Sequence, residues 1–241
     1  MLTIGLLGGM SWESTVPYYR TVNEVVRSRL GGLHSAKVAL VSVDFAEVER
    51  LQHAGAWADA GALLADAARS LEAAGADFVV LCTNTMHVVA DAIEAAVDIP
   101  LLHIVDPTAA AIRSAGIGMV GLLGTRFTME QDFYVGRLQG RHGLTVLTPP
   151  ADDREIVHRV IYDELVLGRS LAPSRAAFRR VIADLVARGA QGVILGCTEI
   201  SLLVGPDDAS VPLFDTTAIH ATAAAVRACS HDIDLEVGDP R

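Results

Sequence analysis

Eight short apolar runs alternate with longer segments of helical periodicity along the chain. The runs are Thr3–Leu7, Val38–Val43, Phe78–Leu81, Leu101–Ile104, Met119–Leu123, Thr145–Leu147, Val193–Leu195 and Leu213–Phe214. Most are continuous rather than alternating, as parallel strands buried on both faces require. The segments between them carry helix boundaries. Thr15 is placed to cap Val16–Arg29, with Pro17 in the first turn and Gly31-Gly32 past the end. Ala58–Ala74 stops at Gly75, and Pro173–Arg188 stops at Gly189. Strand and helix in alternation predict an α/β fold.

A weak repeat overlies this pattern. Ile4-Gly5-Leu6-Leu7-Gly8-Gly9 resembles Val120-Gly121-Leu122-Leu123-Gly124-Thr125, an offset of 116 (121 − 5). Cys82 and Cys197 are offset by 115 (197 − 82). Two features at nearly one spacing predict two similar α/β halves. We expect a first domain of residues 1–115 plus 213–241 and a second of 116–212. Leu213-Phe214-Asp215 has no counterpart in a simple tandem, so it is expected to return to the first half. The charged tail His231–Arg241 lacks periodicity and is expected to fray.

Composition narrows the function. No apolar run nears the roughly 18 residues of a membrane helix, and Met1–Gly5 has no basic flank, so it reads as a strand and not a leader. A net charge of −10 disfavours nucleic acid and anionic membrane surfaces as partners. Three cysteines, Cys82, Cys197 and Cys229, are too few for a disulfide framework and point to a reducing, cytoplasmic setting. Cys229 lies in an Ala-rich segment and reads as a small core thiol. Lys37 is the sole lysine and opens an apolar run, away from the expected active end. A pyridoxal-phosphate enzyme needs a well-placed lysine for its Schiff base, so that cofactor is disfavoured.

Chemistry concentrates where two apolar runs end. Phe78–Leu81 leads into Cys82-Thr83-Asn84-Thr85, and Val193–Leu195 into Gly196-Cys197-Thr198-Glu199. Active sites of α/β sheets gather at the carboxyl ends of strands. A helix beginning after each run would supply N–H donors for a carboxylate, and positive dipole that lowers a thiol pKa. The first loop, Gly8–Thr15, matches neither the dinucleotide fingerprint nor a P-loop, so a small anion or amino-acid carboxylate suits it better than a nucleotide. The eight histidines show no zinc spacing with each other or with the cysteines, and no metal is expected. His87 reads as a structural histidine, with a supporting role behind the first run as the alternative.

These residues resemble the aspartate/glutamate racemase family, the cofactor-independent amino-acid racemases. The resemblance runs from Met1 to about Cys229. It rests on Gly8–Thr15 (GGMSWEST), Cys82–His87 (CTNTMH), Leu122–Tyr134 (LLGTRFTMEQDFY) and Gly196–Glu199 (GCTE). These strings are most similar to the broad-specificity and L-aspartate/glutamate-specific branch. The resemblance implies two pseudo-symmetric three-layer α/β domains, each with a mostly parallel sheet, and an active site in the interdomain cleft. It implies no cofactor, a small amino-acid substrate and a homodimer. It implies a two-base mechanism, one group removing the α-proton and another returning a proton to the opposite face.

The chain departs from the family pattern in ways that matter. The family's first motif is Cys-Asn-Thr, whereas here Thr83 precedes Asn84-Thr85 and Cys82 lies one residue earlier. In extended chain one residue turns a side chain to the other face. The expectation is therefore a catalytic pair of Thr83 and Cys197, with Cys197 the thiolate base. A local bulge returning Cys82 to the site is the alternative. By resemblance the substrate contacts are Met10, Gln52, Asn84, Thr85, Thr198 and Glu199. Val166 stands where aspartate racemases of the family carry a lysine, two residues before a glycine matching Gly168. Arg50, Arg126 and Arg169 are candidates to replace it. Two other readings are a decarboxylase or isomerase of small dicarboxylic acids and a catalytically weak amino-acid-binding protein.

Overall fold

The computed structural model describes residues 1–236, and of 231–236 the backbone alone; of the tail expected to fray, 231–236 instead continue the last helix and 237–241 lie outside the described residues. The strands are β1 (Thr3–Gly8), β2 (Lys37–Ser42), β3 (Phe78–Leu81), β4 (Leu101–Leu102), β5 (Met119–Gly124), β6 (Thr145–Leu147), β7 (Val193–Gly196) and β8 (Leu213–Asp215). The helices are α1 (Trp12–Leu30), α2 (Phe45–His53), α3 (Trp57–Ala73), α4 (Ala90–Glu94), α5 (Val105–Ser114), α6 (Arg126–Glu130), α7 (Val135–His142), α8 (Ala151–Asp163), α9 (Ala172–Ala187) and α10 (Thr216–Glu236). Every apolar run of the sequence became a strand.

Two four-stranded sheets form, ordered β2-β1-β3-β4 and β6-β5-β7-β8. All pairings are parallel. One order repeats the other strand for strand. The chain divides into two compact units, Met1–His103 with the chain from His220 on, and Ile104–Ile219. The sequence boundaries at 115 and 213 therefore move. β8 pairs with β7 in the second sheet and is the counterpart of β4. It looked unmatched because β4 is two residues long. The helix after each of these strands departs from the sheet it follows: α5 belongs to the second unit, and α10 from His220 on belongs to the first.

In the first unit the strands alternate between two apolar layers. Ile4, Leu6, Phe78, Val80 and Cys82 pack with Tyr18, Val22 and Val26 of α1 and with Ala221, Ala224, Ala225 and Ala228 of α10. The alanines recur at helical spacing and let α10 approach closely. Leu7, Val79 and Leu81 face the other way, toward α2 and α3. The second unit has one continuous core drawn from β5, β7 and helices α5, α7, α8 and α9. These layers arise from strands apolar on both sides.

The start of α1 differs from expectation. It begins at Trp12, with Ser11 as its cap residue, and Pro17 lies inside it. Thr15 instead accepts the Gly9 amide at 2.8 Å and donates to the Ser11 carbonyl at 3.0 Å, tying down the loop after β1. Gly9 is obligatory there: its φ is +93°, and a Cβ would stand 2.2 Å from the Val43 carbonyl oxygen. Lys37 is exposed at the amino end of β2.

A buried polar network crosses the first unit. The His220 Nε2–H donates to the Leu102 carbonyl at 2.8 Å, and the Tyr18 hydroxyl lies 2.8 Å from Nδ1. With the ring proton on Nε2, Tyr18 is the donor to Nδ1. Tyr18→Phe is expected to cost about 1–3 kcal/mol by removing a buried hydrogen bond, read as a lowered urea midpoint at unchanged m.

Candidate active site

In an open parallel sheet the two strands flanking the point where the order reverses leave a crevice at their carboxyl ends. In the first sheet those strands are β1 and β3, and in the second β5 and β7. The loops they feed are Gly9–Ser11 and Cys82–Thr85 in one unit, Thr125 and Cys197–Glu199 in the other. The fold thus puts both polar runs singled out in the sequence at such positions.

Strand register decides which residues are equivalent. Leu7 pairs with Leu81 in the first sheet, and Leu123 pairs with Leu195 in the second. Leu123 is the repeat partner of Leu7, so Leu195 corresponds to Leu81, an offset of 114 (195 − 81). Cys82 then corresponds to Gly196, and Thr83 to Cys197. The cysteine spacing of 115 is a coincidence that the repeat does not share.

The surroundings of each side chain agree with that register. Cys82 is fully buried in the apolar layer beneath α1 and α10, and its thiol reaches the Val80 carbonyl at 3.5 Å. Burial alone pushes this thiol far above its ordinary pKa. Thr83 is 7% exposed. Its own N–H is bonded to the Leu81 carbonyl at 2.9 Å in a tight turn. The Thr83 carbonyl accepts a 2.8 Å hydrogen bond from His87 Nδ1, which fixes the proton on that nitrogen. Thr85 opens a short 3₁₀ turn, Thr85–Val89, and Asn84 and Thr85 are buried with it. Gln52 of α2 donates through Nε2 to the Met86 sulfur at 2.9 Å. Met10 is buried in the layer holding Val48, Leu51 and Met86. Thus Met10, Gln52, Asn84 and Thr85 are grouped in one unit around the end of β3.

His87 also stacks near His103, with ring centroids 4.4 Å apart, and lies 6.2 Å from His220. His103 and His220 were not singled out from the sequence. The only signal for His87 was its position five residues after Cys82 at the head of the first polar run.

The second half-site is built on glycine. A Cβ on Gly196 would stand 2.9 Å from the Leu123 carbonyl oxygen, and one on Gly124 would stand 2.8 Å from the Gly196 carbonyl oxygen. Only glycines let β5 and β7 close up here. Thr216 Oγ1 donates to the Leu195 carbonyl at 2.8 Å, fixing the strand end from the far side. Cys197 is 9% exposed and Glu199 3%. The Cys197 thiol donates to Glu199 Oε2 at 3.0 Å, and the Thr198 hydroxyl donates to the same oxygen at 2.6 Å.

This arrangement reverses one expectation. A helix dipole was to lower the Cys197 pKa. After Glu199 the chain makes only a three-residue 3₁₀ turn, Ile200–Leu202, too short to carry a substantial dipole. Burial raises the thiol pKa well above its ordinary value, and the charge and hydrogen bond of Glu199 raise it further. The resting thiol therefore keeps its proton.

Beside it, Thr125 caps α6 by accepting the Thr128 amide at 3.3 Å. The Arg126 amide donates to His158 Nδ1 at 3.2 Å, and burial lowers the His158 pKa. The arginines considered for a substrate side chain, Arg50, Arg126 and Arg169, are exposed, and Arg126 lies 3.7 Å from Glu155. Val166 packs against the core of the second unit. No group of three or more metal-ligating side chains occurs among the described residues.

The chain is similar to known proteins. Residues 7–224 match the family model for Asp/Glu/hydantoin racemases. The chain is 23% identical over 227 residues to the broad specificity amino-acid racemase RacX of Bacillus subtilis strain 168, covering 89% of this chain and 93% of that one. The crystal structure of a candidate Asp/Glu racemase from Yersinia pestis is 61% identical with a TM-score of 0.89, over 95% of this chain and all of that one. An aspartate racemase homologue from Pyrococcus horikoshii OT3 is 33% identical with a TM-score of 0.82, over 95% of this chain and all of that one.

Proposed function

The chain belongs to the Asp/Glu/hydantoin racemase family, and we propose that it is a cofactor-independent racemase of aspartate, glutamate or a related polar amino acid. The reading is carried by the register equivalence of Thr83 and Cys197, one proton-transfer group at the same place in each α/β unit. Cys197 serves one face of the α-carbon and Thr83 the other. Asn84, Thr85 and Thr198 supply donors for the α-carboxylate, while Met10 and Gln52 shape the pocket around Thr83. Glu199 acts beside Cys197. A hydroxyl is a weaker acid than a thiol, so the two directions run at unequal rates and the enzyme favours one enantiomer.

The test is solvent deuterium. A panel of L- and D-amino acids incubated in D₂O without cofactor should include at least one acidic or polar member that gains α-deuterium and loses optical rotation. Release of carbon dioxide instead would assign a decarboxylase of small dicarboxylic acids, a reaction one cysteine can serve. Stabilisation by an amino acid with neither outcome would assign a binding protein.

A homodimer and a cytoplasmic location belong to the same proposal. No disulfide joins the three cysteines, and no described helix is long and apolar enough to cross a membrane. Trp12, Val16 and Tyr19 form an exposed apolar stripe on α1 that a second copy would cover. Light scattering at the chain mass alone would exclude the dimer.

A further inference from the structure

The carbonyl of Thr83 is held by a side chain, whereas that of its counterpart is held by backbone. By strand register Thr83 answers Cys197, and at the same offset of 114 (201 − 87) His87 answers Ser201. In the second unit the Cys197 carbonyl accepts the Ile200 amide at 3.2 Å. In the first, the Thr83 carbonyl accepts the ring Nδ1–H of His87 at 2.8 Å.

The shape of the turn explains the difference. The Cys82 amide still reaches β1, bonding the Leu7 carbonyl at 2.9 Å, and the Thr83 amide folds back on Leu81 at 2.9 Å. The chain then enters the 3₁₀ turn Thr85–Val89, in which the His87 amide bonds the Asn84 carbonyl at 3.2 Å. An α-helical pairing would have given that amide to the Thr83 carbonyl. The imidazole of the same residue takes its place, so a buried carbonyl is satisfied.

The ring is itself walled in. His87 is 2% exposed. The His103 ring lies against it with centroids 4.4 Å apart, and the His220 ring at 6.2 Å. His220 is pinned at both nitrogens, by the Tyr18 hydroxyl and by the Leu102 carbonyl, each at 2.8 Å. Tyr18, His103 and His220 come from α1, the end of β4 and α10, all within the first unit. Together they hold one ring nitrogen of His87 against one carbonyl.

We propose that His87 is a positioning residue for Thr83: its Nδ1–H fixes the Thr83 carbonyl and, through it, the direction in which the Thr83 side chain leaves the turn. The inference rests on the racemase reading and on the place of Thr83 in it. His87 moves no proton in this role. With its amide on Leu81 and its carbonyl on His87, Thr83 has both main-chain groups committed, so neither flanking peptide rotates freely. Without the ring bond the peptide between Thr83 and Asn84 is released. A misplacement of about 1 Å at a reacting group costs about 100-fold in rate.

The ratio of inversion to exchange tests this. His87→Leu removes the donor and keeps most of the bulk. Inversion should fall about 10- to 100-fold, while exchange with retained configuration, which Cys197 carries out on its own face, should stay within about threefold. His87→Asn carries an amide N–H near the place of Nδ1 and should recover most of the inversion. The double variant Thr83→Ala/His87→Leu should invert no more slowly than Thr83→Ala, because a residue acting through Thr83 then has nothing left to position. In the wild type, ¹⁵N-resolved ring spectra should show a proton on His87 Nδ1.

Inversion that is unchanged in His87→Leu, or that falls equally with exchange, overturns the proposal and leaves His87 a core residue. An additive loss in the double variant does the same. Where His87→Leu does not fold, His87→Asn decides: a near wild-type ratio of inversion to exchange supports the role, and a collapsed ratio overturns it. An unprotonated Nδ1 overturns the contact itself. Wild-type protein that exchanges no amino-acid α-proton overturns the racemase reading and this role with it, and the ring tautomer still reports on the contact.

Discussion

Cys197→Ser is expected to lower α-proton exchange by at least about 1,000-fold, a loss near 4 kcal/mol of transition-state stabilisation. The substitution changes one atom at a strand end already held by Gly196 and by the Thr216 bond to the Leu195 carbonyl, so folding should survive and the loss should be chemical. A serine hydroxyl is a far weaker acid than a thiol, so it yields no usable anionic base near neutral pH. The decisive comparison is Cys82→Ala. Its sulfur packs among Ile4, Leu6, Val80 and the α10 alanines. Its removal should cost about 1 kcal/mol of stability and leave exchange within about twofold. The measurements are deuterium incorporation by NMR for activity and a denaturant midpoint for stability. If Cys82→Ala proves as damaging to exchange as Cys197→Ser, the first proton-transfer position is misplaced.

The two cysteines also mark how far the sequence alone carries. The strands were legible because buried parallel strands are continuous apolar runs, and all eight emerged within a few residues of their ends. The departure of Cys82 from the family motif was legible as a one-residue shift, and parity along an extended segment turned it into an expectation. The repeat was legible through Gly5 and Gly121, but the spacing of the two cysteines misaligned its second half. Only hydrogen-bonded register, Leu7 with Leu81 and Leu123 with Leu195, fixes which residue answers Cys197.

Other features depended on contacts that no spacing encodes. β4 has two residues, so its equivalence to β8 rests on pairing and not on pattern. The Cys197–Glu199 contact joins residues two apart through a turn, and a 3₁₀ turn there looks like an incipient helix in sequence. The dipole argument therefore gave the wrong sign for the thiol pKa. The His87, His103 and His220 cluster draws on three separate segments brought together by the β3–β4 pairing and the return of α10.

Thr83→Ala should uncouple exchange from inversion. If Cys197 serves one face of the α-carbon, it can remove and return a proton there without help from Thr83. Deuterium should still enter the enantiomer whose α-hydrogen Cys197 meets, with its configuration retained. Inversion needs a proton from the other face, and its rate should drop by about 100- to 10,000-fold, the span of general acid–base contributions. Thr83→Cys should act in the opposite sense. A thiol ionises near pH 8.5 when unperturbed, so cysteine is a better base than threonine. The slower direction should accelerate and the two enantiomers should react at more nearly equal rates. The burial that leaves Thr83 7% exposed would raise the new thiol's pKa, so the gain should grow as the pH rises. Chiral chromatography of products from each pure enantiomer, combined with deuterium content, measures both quantities in one reaction. Full inversion in Thr83→Ala would sink the assignment, since the proton would then come from a group other than Thr83.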